Sequence, residues 1–198
     1  MTHAVPILVG YLVGSIPFAL LVSRGLVGVD IRHAGSGNVG SANVLRTSGV
    51  ATALLVMVLD IAKGAGSVLL ADRWSVAGST PAVAGLAAIL GHVYPIWLRF
   101  RGGKGVATAF GVFAVLTPWA VLPALALFIA TVWATRFVSL GSLVAVLALG
   151  PIAYALAAPP ASWLAAAGAA ILIVFRHRSN VARLRAGTER RIGQRARS

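Results

Sequence analysis

The sequence predicts an all-α integral membrane protein with about seven transmembrane helices, some short or broken, its N-terminus outside and its C-terminus cytoplasmic. Three observations carry this expectation. Of 198 residues, 59% are hydrophobic and 11% charged, with a mean hydropathy of +0.90, whereas a soluble domain averages roughly 25% charged residues. The apolar residues also gather into runs close to the ~20 residues that cross a bilayer. Finally, the net charge of +13 lies in a few loops between those runs. Spread over a surface it would point to nucleic acid; confined to loops it is a topology signal and speaks against a nucleic-acid partner. No cysteine is present, which excludes disulfides and thiolate chemistry.

Taken in order, residues 1–22 form an apolar run holding Ser15 and Pro17. Its first basic side chain is Arg24, after the run rather than before it, so the segment reads as a retained span and not a secretory leader. Residues 50–71 form the second run. It contains Asp60 and Lys63, three apart and therefore on one helical face. Charge at that depth is costly and usually faces a protein interior or a functional cavity, so the pair is read as supporting a site rather than only fixing packing. Residues 72–80 make an outer polar turn, and 81–98 return the chain inward to Gly91-His92-Val93-Tyr94-Pro95.

Residues 106–135 are too long for one upright span and short for two, with Pro118 and Pro123 inside. Charge arbitrates. From Arg176 onward eight arginines stand against Glu189, and the positive-inside rule places that tail in the cytoplasm. Two short or bent crossings turning near Pro118, then 138–158 and 161–175, satisfy the rule with seven spans. Five spans, with one re-entrant hairpin, is the alternative. The chain reads as one membrane-embedded domain over 1–198, with 176–198 a basic cytoplasmic tail contributing to the site. No internal repeat marks a transporter built from two halves.

Two glycine-rich loops carry the chemical signal. The first includes Gly35-Ser36-Gly37-Asn38-Val39-Gly40, followed by Asn43 and Arg46. The spacing G-x-G-x-x-G is a dinucleotide fingerprint only after a buried strand; here it follows a membrane-length run, and that reading fails. Glycine allows a tight turn and close approach, and successive N–H groups in such a turn can cradle an anion. Arg46 adds a planar donor fork suited to phosphate. The second loop is Gly102-Gly103-Lys104-Gly105-Val106-Ala107-Thr108, without the spacing of a Walker loop. In the tail, His177 and Asn180 stand three apart at the membrane border, beyond what a lipid anchor requires.

With seven spans these stretches share the inner face. Asp30 and Glu189 are the only acids in the inner loops, so no metal is expected, and no nucleophile–His–acid relay is legible. The constellation suits one or two phosphate-bearing anions at a bilayer surface with a lipid-facing groove beside them. A membrane transporter or channel for a phosphate ester is the rival reading; only Asp60 and Lys63 offer polar groups for its pathway.

These motifs resemble the bacterial acyl-phosphate:glycerol-3-phosphate acyltransferases, the PlsY family, over nearly the whole chain. The likeness rests on Gly14-Ser15-Ile16-Pro17, on Asp30-Ile31-Arg32 leading into the first loop, and on Asn43 with Arg46. It continues through Asp60-x-x-Lys63-Gly64, Gly91-His92-x-x-Pro95 and the second loop, and closes with His177-x-x-Asn180-x-x-Arg183-Leu184 and Gly187-Thr188-Glu189. One departure is Ala42, where such proteins usually carry Thr.

The resemblance implies a bacterial inner-membrane enzyme, its active site facing the cytoplasm. It would move a fatty acyl group from acyl phosphate to the 1-hydroxyl of glycerol 3-phosphate, giving lysophosphatidic acid and phosphate early in phospholipid synthesis. No cofactor is implied, the bilayer's anionic headgroups are a further partner, and the oligomeric state is not legible. The expected catalytic residues are Ser36, Lys104, His177 and Asn180. Gly35, Gly37, Asn38, Gly40, Asn43, Arg46, Gly102, Gly103 and Thr108 are expected to bind substrate phosphate, with Asp60, Lys63 and His92 in support. For the hydroxyl proton there are two acceptors, His177 or the donor's own phosphate; the arginines flanking His177 weaken it as a base and favour the phosphate.

Overall fold

The computed structural model describes residues 3–74 and 78–193, so Arg195 and Arg197 of the basic tail lie outside the described residues. Every regular element among them is helical, as the composition predicts. The chain divides into two compact units, 1–116 and 117–198.

The first unit opens with α1 (Ala4–Gly14) and α2 (Phe18–Val27), which together make a 24-residue apolar segment. Pro17 causes the break. It lacks an N–H, and it pushes the residue before it out of helical geometry. α2 stops at Gly28, whose φ of 70° is the left-handed conformation that closes many helices. A short α3 (Ser41–Thr47) follows the first glycine loop, then the 25-residue α4 (Val50–Trp74). α5 (Thr80–Val93) starts with Pro81 in its first turn, and past Pro95 a single 3₁₀ turn covers Ile96–Leu98. The second glycine loop then leads into α6 (Val106–Leu116).

Small residues set how closely these helices approach, as expected where lipid gives no hydrophobic drive for helix association. A Cβ on Gly14 would collide with the Ala88 backbone, so α1 lies directly on α5. On α4, a Cβ on Gly64 would run into the Thr108 carbonyl of α6, and one on Gly111 into the Ile61 carbonyl.

The second unit contains α7 (Pro118–Thr135), α8 (Val138–Ala155), α9 (Pro160–Arg176) and α10 (Arg178–Arg185). The expected interruption of 106–135 falls at Thr117, before Pro118. Among the described residues, five helical segments are long and apolar enough to span a bilayer: Ala4–Val27, Val50–Trp74, Thr80–Leu98, Pro118–Thr135 and Val138–Ala155. A sixth is reached by joining α9 to α10 across a 58° bend. α6 has 11 residues, about 16 Å at 1.5 Å per residue. That is half of a hydrocarbon core of ~30 Å, so the seventh apolar helix is too short to cross unaided.

Candidate active site

In the first unit, Asn43 builds the first glycine loop. Its side chain is 2% exposed and uses both ends. Oδ1 accepts the Ser36 N–H at 2.8 Å and the Ser36 hydroxyl at 3.1 Å. Nδ2 donates to the Ile31 carbonyl at 3.1 Å and the Ala34 carbonyl at 3.0 Å. Gly35 sits in this turn with φ of 61°, and a Cβ there would strike Asn43 Oδ1, so glycine is required on both counts.

The geometry changes the cradle expected at Ser36–Gly40. The N–H groups of Ser36 and Gly37 are spent inside the turn, the latter on the Ala34 carbonyl at 3.1 Å. An anion at this turn therefore meets side chains and the later N–H groups. Ser36, Gly35, Gly37 and Arg46 are exposed, while Asn38 and Gly40 are half-buried. Just before the turn, Arg32 grips Asp30 through Nε at 3.0 Å and Nη2 at 2.8 Å, and Arg24 adds a third contact. The Arg32 guanidinium holds the Asp30 carboxyl well below the usual carboxylate range, against the opposing effect of desolvation.

The second loop is laid across the end of α5. Gly102 N–H donates to the Val93 carbonyl and Gly103 N–H to the His92 carbonyl, each at 3.1 Å. A Cβ on Gly103 would stand 2.7 Å from the Val39 carbonyl and would also hit the His92 imidazole. The two glycine loops thus meet at Val39 and Gly103. Lys104, the next residue, is half-buried.

The three supporting residues come together beneath these loops. Lys63 Nζ lies 2.8 Å from Asp60 Oδ1 and donates to the Ile16 carbonyl at 2.9 Å. His92 Nδ1 stands 3.5 Å from the same carboxylate oxygen, and Lys63 also lies 5.6 Å over the Phe18 ring. All three are buried. They border a cavity of about 10 Å³ that Ser15, Val39 and Gly102 help to line, room for about one water.

Thr108 differs from expectation. It is 0% exposed, its Oγ1 finds no hydrogen-bond partner among the described residues, and its carbonyl packs on Gly64. It packs at the contact of α4 with α6, where the sequence reading expected a residue that binds substrate phosphate. The sequence placed it at the loop's end; the close α4–α6 contact takes it inside.

In the second unit His177 and Asn180 are both buried. His177 Nδ1 donates to the Ile173 carbonyl at 2.8 Å, which fixes a proton on that nitrogen, since a carbonyl only accepts. Asn180 Nδ2 donates to Glu189 Oε1 at 2.6 Å. That carboxylate also takes Ser139 Oγ at 2.7 Å and Arg183 Nε at 2.6 Å. Burial pushes the Glu189 carboxyl up, but the Ser139, Asn180 and Arg183 hydrogen bonds outweigh it and leave it below its ordinary value. Sequence reasoning missed Glu189 as the carboxylate that ties Asn180 and Arg183 to Ser139. The available signal was that it is the only acid among the tail's arginines.

Helices of membrane length around buried polar networks define a polytopic integral membrane protein. The chain belongs to the glycerol-3-phosphate acyltransferase family, whose model matches residues 4–187. Three relatives, each a glycerol-3-phosphate acyltransferase, show the degree of likeness. The one from Myxococcus xanthus (strain DK1622) is 48% identical over 193 residues, covering 96% of this chain and 100% of its own. Those from Geobacter sulfurreducens and Anaeromyxobacter sp. (strain Fw109-5) are 48% and 47% identical, each covering 92% of this chain, and 94% and 93% of their own lengths. Among solved structures, PlsY (YgiH), an integral membrane glycerol 3-phosphate acyltransferase, superposes in its glycerol 3-phosphate form with a TM-score of 0.91 at 36% identity, over 96% of both chains. Its lysophosphatidic acid form gives 0.89 at the same identity, over 96% of this chain and 95% of that one.

Proposed function

We propose that this protein transfers a fatty acyl group from acyl phosphate to the 1-hydroxyl of glycerol 3-phosphate, releasing lysophosphatidic acid and inorganic phosphate at the cytoplasmic face of a bacterial inner membrane. The observation that carries the reading is the meeting of the two glycine loops at Val39 and Gly103, with Ser36 on one and Lys104 on the other. The similarity to a protein seen in glycerol 3-phosphate and lysophosphatidic acid forms supports the acceptor and the product.

Acyl phosphate is a mixed anhydride. The acceptor hydroxyl adds to its carbonyl carbon, the carbon–oxygen bond to phosphate breaks, and the proton passes to phosphate. The leaving group is good enough that the protein chiefly has to hold two anions in line, and orientation can supply ~7–11 kcal/mol of barrier lowering. In the first unit Lys104 and Arg46 counter the substrates' negative charge and the charge developing in transfer. In the second unit His177 and Asn180 orient substrate. A direct transfer, without an acyl-enzyme, is supported at Ser36. Its hydroxyl donates to an amide oxygen, which cannot take a proton, so the hydroxyl lacks the base that a covalent nucleophile needs.

Purified protein in detergent, given acyl phosphate and glycerol 3-phosphate with excess chelator, should release phosphate and form lysophosphatidic acid stoichiometrically. Activity only with a thioester donor, a strict need for Mg²⁺, or a rapid-quench acyl adduct on Ser36 would each overturn this assignment.

A further inference from the structure

Asp60, Lys63 and His92 take no part in the chemistry above, yet they place an ion pair where charge is most expensive. Asp60 is 2% and Lys63 5% exposed, on a helix of membrane length. A buried ion pair adds little stability over apolar residues of the same volume, so packing alone is a weak reason for it. Lys63 and His92 each reach irregular backbone, and both stand beside the Asp60 carboxylate. Such backbone is tolerated at membrane depth only where protein satisfies it.

Lys63 Nζ donates to the Ile16 carbonyl, in the break between α1 and α2. The His92 and Val93 carbonyls hold the N–H groups of Gly103 and Gly102. The His92 ring fills the space where Gly103 would carry a side chain, and its Nδ1 stands 3.5 Å from Asp60 Oδ1. A continuous line of contacts therefore runs from the Asp60 carboxylate through His92 to Gly103, one residue from Lys104.

We propose that Asp60 and His92 are positioning residues. Through the Gly102–Gly103 segment they set the location of the Lys104 ammonium, while Lys63 ties the same carboxylate to the break at 15–17. This inference rests on the reading of Lys104 as a site residue.

The test uses the full chain in detergent, with phosphate release from acyl phosphate and melting temperature recorded for Asp60→Asn, His92→Leu, His92→Asn and Lys104→Met. A misplacement of about 1 Å in a catalytic group can cost about a hundredfold, so Asp60→Asn and His92→Leu should each lower kcat about that much when assayed well below their melting temperatures. His92→Asn keeps an N–H near the Nδ1 position and should stay within about threefold of the parent, well short of that loss. Should Asp60→Asn fail to fold, the His92 pair decides alone.

A merely structural role predicts that activity follows melting temperature and that His92→Asn is as impaired as His92→Leu; either result overturns the proposal. A fully active Asp60→Asn does so as well. If the parent is active and Lys104→Met equals it, Lys104 is not the group being positioned and the inference falls alone. If the parent releases no phosphate, the functional reading falls and takes the inference with it.

Discussion

Asn43→Asp is the sharpest single test of how the first glycine loop is held. The substitution keeps shape and keeps an oxygen facing the Ser36 N–H and hydroxyl. It replaces the amide donor by a second oxygen, opposite the carbonyls of Ile31 and Ala34 that Nδ2 now serves at 3.1 and 3.0 Å. Two hydrogen bonds at about 1 kcal/mol each, plus the Ile31 carbonyl left without a donor at about 1–3 kcal/mol, bracket the penalty at roughly 3–5 kcal/mol, since the Ala34 carbonyl keeps the Gly37 N–H. Domain stabilities are themselves about 5–15 kcal/mol, so the segment 31–36 should abandon its turn rather than carry the strain. When protonated, the introduced carboxyl can restore one of the two bonds. Its pKa is therefore raised in the folded variant, and the damage should ease as pH falls through that raised value and worsen as pH rises. The assay is phosphate release and thermal melting of the variant between mildly acidic and alkaline pH, alongside the parent. A variant with parental rate and melting temperature throughout that range would refute the claim that Asn43 organises this loop.

Glu189 sets a second pH dependence, of opposite sign. Its folded-state carboxyl lies below its ordinary value, so its contribution is complete above the unfolded value and is lost as pH falls through the lower folded one. Melting of the parent should drop on acidification in that window, and Glu189→Gln should melt lower at neutral pH with that drop removed. On α4, Gly64→Ala should destabilise by about 1–3 kcal/mol through overpacking against the Thr108 backbone. Gly66→Ala, two residues on and facing open space, should stabilise by about 0.5–1 kcal/mol; detergent melting curves compare the two. Lys104→Met should reduce kcat/KM by the equivalent of roughly 2–5 kcal/mol, the cost of leaving a bound charge without its partner. For orientation, single Cys at Ser41, Arg101 and Ser179 should react with an impermeant thiol reagent only after the cytoplasmic side is opened, and Cys at Ser79 in intact cells. Labelling of Ser179→Cys from outside would reverse the proposed topology.

Local properties of the chain were sufficient for the membrane class and for the interruption near Pro118. A run of apolar side chains declares its solvent wherever it lies. The turn expected near Pro118 falls at Thr117, whereas Pro17 divides a run read as one span, and Pro123 and Pro151 lie inside unbroken helices, so which proline interrupts a helix was not legible from the proline alone. The ordered motifs from Gly14 to Glu189 likewise sufficed for the family. Which side chain serves which loop was decided only by the fold. Asn43 could have faced a ligand or the backbone; the turn of 31–36 around it makes it an internal scaffold. Glu189 binds Ser139 from 50 positions away, and Gly103 is pressed on Val39 and His92 from other segments. Thr108, legible as a loop hydroxyl, is closed off by Gly64 of α4. The reason is common to all four. Burial and hydrogen-bond partnership depend on which backbones approach one another, and that approach is set by packing across the unit rather than by the residues on either side.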